Sequence, residues 1–195
     1  MTYNPTIHNR RSIRLQGYDY SQFGTYFITI CTHQKQRIFG EIVNGEMKLN
    51  LMGQYAFHQW NKIPQRFLNV ELDEFIIMPN HIHGIIIIGS GRGEGSENKL
   101  RFPTINSFSD PSPLHHDHHQ PNGTVPGSIG AIIQNFKSGT SRKINAMPGM
   151  KNIKLWQINY YDHIIRNEED HHRIVEYIQK NPVQWEQDEL FSGGL

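Results

Sequence analysis

Two histidines one residue apart, His81 and His83, stand at the head of an apolar run, Gly84-Ile85-Ile86-Ile87-Ile88. Four consecutive isoleucines read as a strand buried on both faces. Residues i and i+2 of a strand point the same way, so both imidazoles project from one face while Ile82 anchors the other. Two imidazoles side by side on a rigid strand make half of a divalent metal site. The same spacing also suits two polar positions at a strand mouth. A second group lies near the end of the chain. Ile174, Tyr177, Ile178 and Asn181 fall at i, i+3, i+4 and i+7 and share one face of an expected helix. A tyrosine in such a stripe is commonly core, and an asparagine before Pro182 is commonly a cap. If that face packs over the histidine strand, however, Asn181 brings a carbonyl oxygen as a third ligand. Tyr177, one turn earlier, then sets a phenol beside the metal. Three ligands with open positions describe a catalytic site rather than a closed structural one. A Lewis acid there polarises a phosphodiester, and the phenolate attacks phosphorus to give a covalent intermediate.

The elements that must position these groups are legible. Residues 25–32 are aromatic and β-branched and predict a strand. Residues 39–43 and 46–49 flank Asn44-Gly45, a strong hairpin signal. Residues 51–63 repeat apolar side chains at helical spacing and stop before Pro64. Residues 70–78 form a second core strand, Pro79-Asn80 turns the chain, and residues 81–88 return as a third. An amphipathic helix is expected from 128 to about 144, a fourth strand over 153–159, and a last helix after Asn167. Asn167 can cap the free amides there, with Glu168, Glu169 and Asp170 in the favoured first turn. That helix ends at Asn181, because Pro182 disfavours helical geometry in the residue before it.

With the hairpin set aside, the order is strand, helix, strand, strand, helix, strand, helix. This is the α+β, ferredoxin-like split βαβ arrangement: an antiparallel sheet with helices on one face. An inserted β-hairpin and a C-terminal helix carrying Tyr177 complete it. Residues 89–124 break the pattern with Gly91-Arg92-Gly93-Glu94-Gly95-Ser96 and Pro111-Ser112-Pro113, and read as a flexible insertion. The histidines of His115-His116-Asp117-His118-His119 look like a metal tract, but a loop without rigid support makes a poor site.

The 195 residues are 36% hydrophobic, enough for a single domain over 1–195 with a real core. The net charge of +1 announces no whole-protein field toward nucleic acid. The distribution says more: no Asp or Glu falls between Asp117 and Asp162, where Lys137, Arg142, Lys143, Lys151 and Lys154 all lie. The run Arg10-Arg11-Ser12-Ile13-Arg14 is a second acid-free cluster. Two basic patches on a near-neutral protein suit a local anionic ligand such as a phosphate backbone, or ordinary solvated faces. A single cysteine, Cys31, excludes an internal disulfide and a cysteine-based zinc cluster. No spanning helix or signal peptide is visible, so a cytoplasmic protein without membrane partners is expected.

These segments together closely resemble the single-tyrosine HUH transposases, especially the REP-associated tyrosine transposases. The resemblance runs through Arg10-Arg11-Ser12-Ile13-Arg14-Leu15, the strand at 26–32, Leu72-Asp73-Glu74-Phe75-Ile76-Ile77-Met78-Pro79-Asn80-His81-Ile82-His83-Gly84 and Ile132-Ile133-Gln134-Asn135-Phe136-Lys137-Ser138. It continues through Trp156-Gln157 and Tyr161-Asp162-His163-Ile164-Ile165-Arg166-Asn167 to Glu176-Tyr177-Ile178-Gln179-Lys180-Asn181-Pro182. It implies a metal-dependent endonuclease and strand transferase for single-stranded DNA near hairpins, working through a covalent 5′-phosphotyrosine. Tyr177 is then the nucleophile, and His81, His83 and Asn181 hold Mg²⁺ or Mn²⁺. Insertion-sequence relatives place Gln where Asn181 stands, so a closer helix or a water must make up the shorter reach. Tyr160 and Tyr161 are rival nucleophiles, with a structural role expected of both. Arg10, Arg11, Arg14, Lys137, Arg142 and Lys143 are the expected phosphate contacts, and Trp156 either stacks on a base or belongs to the core. The resemblance admits a homodimer. A domesticated hairpin-binding protein without cleavage is the alternative, though a pure binder has no need of the four site residues. A plasmid-type initiator or relaxase shares the chemistry but is disfavoured by the small size. A ferredoxin-like RNA-binding module lacks support in its aromatic strand signature.

Overall fold

The computed structural model describes residues 19–89 and 124–191. Its frame is a four-stranded antiparallel sheet built from β1 (Gly24–Cys31), β4 (Val70–Ile77), β5 (His81–Ile88) and β6 (Tyr161–Ile165), in the order β4-β5-β1-β6. That order is the split βαβ topology expected from the element sequence. The intervening hairpin pairs β2 (Gly40–Val43) with β3 (Glu46–Leu49). Asn44 and Gly45 both take positive φ, at 53° and 76°, as a two-residue turn matching strand twist requires.

Period-two alternation divides the sheet into two faces. Tyr26, Ile28 and Ile30 of β1, with Ile82, Ile86 and Ile88 of β5, face the main core. Two helices cover that side: α1 (Leu51–Asn61), and α3 (Ile129–Asn145). Asn50 caps α1 at the Gly53 amide, and Ser128 caps α3 at Ala131. Trp60 of α1 lies between Phe75 and Phe136, and its indole rests on Gly84, where a Cβ would come within 2.4 Å of the ring. The opposite face carries a smaller apolar cluster, Ile85 and Ile165 with Ile174 and Ile178. The last two belong to α4 (Glu168–Lys180), so the C-terminal helix covers the face that α1 and α3 leave free.

Two local expectations are corrected. The helix expected over 51–63 breaks at Lys62, and a short α2 (Ile63–Arg66) follows with Pro64 in its first turn, where a missing N–H costs nothing. The fourth strand lies at 161–165 rather than 153–159; there only Trp156 bridges to Thr32. Residues 155–157 bond to the end of β1, and from Gln157 on the carbonyls of Gln157, Ile158 and Asn159 accept from the Lys137 ammonium at 3.0, 3.3 and 2.8 Å in place of a neighbouring strand. Among the described residues, no helix is long and apolar enough to cross a membrane. The insertion and its histidine tract lie almost wholly outside the described residues, as do Arg10, Arg11 and Arg14.

Candidate active site

The histidine pair occupies the inner strand β5 on the face covered by α4, and both rings are buried. Each is oriented through Nδ1. His81 Nδ1 meets Asn80 Oδ1 at 2.7 Å, while the Asn80 amide donates to the carbonyls of Lys35 and Leu190. With the Asn80 oxygen accepting, His81 carries its proton on Nδ1, and Nε2 is a bare lone pair. His83 Nδ1 lies 2.8 Å from Thr29 Oγ1, leaving its Nε2 to accept from the Tyr177 hydroxyl at 3.2 Å. The rings sit 4.4 Å apart between centroids. Burial, opposed by the charge of Asp188, pulls the His81 pKa down to about 4. Burial and the neighbouring His81 hold His83 well below the usual imidazole range. Both are therefore neutral, the state a metal ligand requires.

Helix α4 delivers the other groups. Asn167 caps it by accepting from the Asp170 amide. His171 Nε2 lies 2.6 Å from Asp73 Oδ2 in the irregular register between Leu72 and Phe75 of β4, fixing the helix to the sheet. Ile174 and Ile178 bury the helix stripe, and Tyr177, 42% exposed, leans to the cleft with its ring 5.1 Å from His83. Phe27 stacks on His83 and meets Tyr177 edge-on. Burial first, then the charges of Asp188 and Glu189, push the Tyr177 phenol up to about 12.

Asn181 is the C-cap of α4 and is buried. Its amide donates to Asp188 Oδ2 at 2.6 Å, which turns Oδ1 away without a hydrogen-bond partner. His81 Nε2 is likewise buried and unpartnered. Buried polar atoms left unpaired are costly, and two in one small site fit a cation that would satisfy both. Among the described residues, ligand atoms of His81, His83 and Asp188 lie within 4.8 Å of one another. His83, Tyr177, Asn181 and Asp188 line a cleft of about 950 Å³, with His81 buried behind them.

The structure thus brings His81, His83, Tyr177 and Asn181 together. Arg142 and Lys143 are exposed in the last turn of α3, on the other side of the sheet from the cleft. Lys137 is turned onto three carbonyls, as described above. Trp156 is buried against Phe39 and Phe136 and belongs to the core. Tyr160 packs at the core edge with its ring 5.8 Å from the Lys137 ammonium, whereas Tyr161 is exposed and lines the cleft. Sequence reasoning missed Thr29, Asn80 and Asp188. Thr29 had a signal, since it shares the face of His83 once β1 and β5 are paired; Asp188 had none before the chain beyond α4 was seen folding back.

A search of protein-family profiles matches nothing in this chain. An uncharacterized protein of Haemophilus influenzae is 43% identical over 191 residues, covering 97% of each chain. Among solved structures, a REP-associated tyrosine transposase bound to a REP hairpin superposes with a TM-score of 0.53. The alignment is 18% identical and covers 89% of this chain and 74% of that one. A putative transposase from Deinococcus radiodurans R1 gives 0.42 at 13% identity, over 86% and 96% of the two chains. The fold shared with the REP-associated neighbour is transposase-like.

Proposed function

We propose that this chain, which belongs to one family with the Haemophilus influenzae protein and carries a transposase-like fold, is a metal-dependent endonuclease and strand transferase for single-stranded DNA. The observation that carries the reading is the convergence of two unpartnered buried ligand atoms, His81 Nε2 and Asn181 Oδ1, beside the Tyr177 phenol. His81, His83 and Asn181 would hold Mg²⁺ or Mn²⁺. Two imidazoles and an amide are neutral, so Asp188 would supply the countercharge; the mixed nitrogen and oxygen set leans toward Mn²⁺. When bound, the ion acts as a Lewis acid on the scissile phosphate.

Tyr177 is the nucleophile. Its phenol gives up the hydrogen bond it now donates to His83 Nε2, its proton passes to water, and its oxygen attacks phosphorus. The P–O3′ bond breaks, the departing oxygen takes a proton to become a 3′ hydroxyl, and the 5′ phosphate stays on the tyrosine. Attack of another 3′ hydroxyl reverses the exchange and rejoins the strand, with no nucleotide hydrolysed. Phe27 and His83 hold the phenol in place through ring contacts. The site of action is single-stranded DNA near a hairpin, the kind of structure the REP-associated neighbour binds. Arg10, Arg11 and Arg14 are proposed phosphate contacts; Arg142 and Lys143, across the sheet from the cleft, would meet only DNA that extends around the domain, and Lys137 is engaged by its three carbonyls.

The test incubates hairpin-bearing single-stranded oligonucleotides with protein and Mn²⁺ or Mg²⁺, then resolves the products on a denaturing gel. A metal-dependent protein–DNA band, lost in Tyr177→Phe and in His81→Ala, is expected. Binding without any adduct in either metal would leave a hairpin-binding protein instead.

A further inference from the structure

We infer that Tyr161 and Arg173 form a nucleotide subsite on one flank of Tyr177, with Tyr161 as the stacking platform for an unpaired base and Arg173, braced by the Asp170–His163 pair, as the contact for its phosphate. The inference rests on the single-stranded DNA reading of the same cleft. Its ground is the register of the edge strand. Tyr161 pairs with Thr29 and His163 with Phe27, and directly paired residues of antiparallel strands share a face. Tyr161 and His163 therefore stand on the face of β1 that already orients His83 and packs against the Tyr177 ring.

A tyrosine at the start of a strand would ordinarily be buried or paired with a neighbouring ring. Tyr161 is 49% exposed and lines the cleft. Arg173, with 71% of its side chain exposed, lies four residues before Tyr177 and so one turn up the same helix, about 6 Å along its axis. That is about one nucleotide step along a single strand. Asp170 holds both side chains in place, accepting from Arg173 and lying 2.7 Å from His163 Nε2. Asp170 is itself held by the Asn167 cap in the first turn of α4. Its carboxylate thus fixes Arg173 at the cleft wall, and the planar guanidinium keeps further N–H groups for a phosphate.

The other flank of Tyr177 carries Asp188 and Glu189, with Lys35 donating to the Glu189 carbonyl. A phosphate seated at Tyr177 has the Arg173 guanidinium one helix turn away, on the side of the open ring of Tyr161. Stacking on an exposed aromatic tolerates any base, so this subsite gives grip on the unpaired flank rather than sequence choice.

The experiment measures fluorescence anisotropy of two labelled probes in EDTA: a DNA hairpin with single-stranded arms and the same hairpin without them. Tyr161→Ala is expected to weaken the armed probe about 10- to 100-fold and leave the armless probe unchanged. Tyr161→Trp should retain binding, and Arg173→Gln should lower the slope of log affinity against log salt by about one on the armed probe alone. Circular dichroism and melting curves of the variants establish that each is folded. Armed-probe binding equal to the parent in both Tyr161→Ala and Arg173→Gln overturns the subsite. An equal loss on the two probes also overturns it, because the residues then serve the stem or the fold. An adduct surviving Tyr177→Phe but lost in Tyr161→Phe overturns it too, by making Tyr161 the nucleophile. If the parent forms no adduct yet the arm-specific loss appears, the subsite stands and strand transfer falls.

Discussion

Replacing Gly84 by alanine tests how the histidine-bearing strand is held from behind. A Cβ at this position would lie 2.4 Å from Trp60 Cζ2, 3.1 Å from Trp60 Cε2 and 3.0 Å from Phe75 Cβ. Comfortable carbon contacts lie at about 3.5–4.0 Å, so the indole must recede by about 1 Å. It has nowhere to go. Trp60 is fully buried, with Phe75 stacked on one side and Phe136 edge-on at 5.3 Å on the other. Overpacking of this kind costs about 1–3 kcal/mol. Loss of the glycine's unfolded-state freedom returns about 0.5–1 kcal/mol. The net expectation is a destabilisation of about 1–2 kcal/mol, or about 2–8 °C in Tm for a chain of this size. Urea denaturation should show a lower midpoint with an unchanged slope. The cause is isolated by repeating the substitution in a Trp60→Leu background. With the indole gone only the Phe75 contact remains, so the added methyl should cost clearly less, giving a coupling of about 1 kcal/mol. The same cost in both backgrounds, or a single variant as stable as the parent, would refute the claim that Gly84 exists to seat Trp60. Since His83 adjoins Gly84, the single variant should also bind Mn²⁺ more weakly.

Three further outcomes are expected. Mn²⁺ at about 100 times its dissociation constant should add about 2.7 kcal/mol of stability, or about 5–11 °C in Tm. Chelation should remove that gain and His81→Ala should abolish it, as read by differential scanning fluorimetry in the absence of DNA. Lys137→Met should cost about 1–3 kcal/mol in urea unfolding by leaving the carbonyls of Gln157, Ile158 and Asn159 without their charged donor. Hydrogen exchange should localise the loosening to the segment before β6, and protection unchanged there would contradict the role. Asn167→Ala should cost about 1 kcal/mol through loss of the cap on the Asp170 amide. Exchange should quicken in the first turn of α4, while an intact first turn would show that the Asp73–His171 pair alone holds the helix.

The elements most legible in the sequence were those whose periodicity coincides with a boundary signal. The bounds of β5 follow from the turn before His81 and the apolar run after it, and α4 from Asn167 at one end and Pro182 at the other. The misplaced fourth strand shows where such reading stops. Residues 153–159 are apolar enough for a strand, but the half-buried Lys137 ammonium of α3 takes their last three carbonyls, and no local pattern records that competitor. The four candidate chemical residues were legible because strand and helix spacing put them on defined faces. That Asn80 and Thr29 fix the two rings depended on pairings across the sheet. Asp188 depended on the chain reversing after Asn181, where Asn80 binds the carbonyl of Leu190 and Lys35 that of Glu189.

Asparagine at position 181 follows from the same geometry. A longer side chain at the end of α4 could reach a cation from a helix held further from the sheet. Here Ile174 and Ile178 share one buried cluster with Ile85 and Ile165. The cap position then buries the Asn181 side chain beside His81 rather than leaving it to solvent. A glutamine there would have to fold back on itself or displace Asp188 from the amide it now accepts from. Asn181→Gln should therefore keep the fold and weaken Mn²⁺ binding, while Asn181→Asp should strengthen binding through its charge only if Asp188 can yield the hydrogen bond. Isothermal titration with Mn²⁺ separates the two: tighter binding by Asn181→Gln would mean that the helix stands further from the metal position than the packing of Ile174 and Ile178 implies.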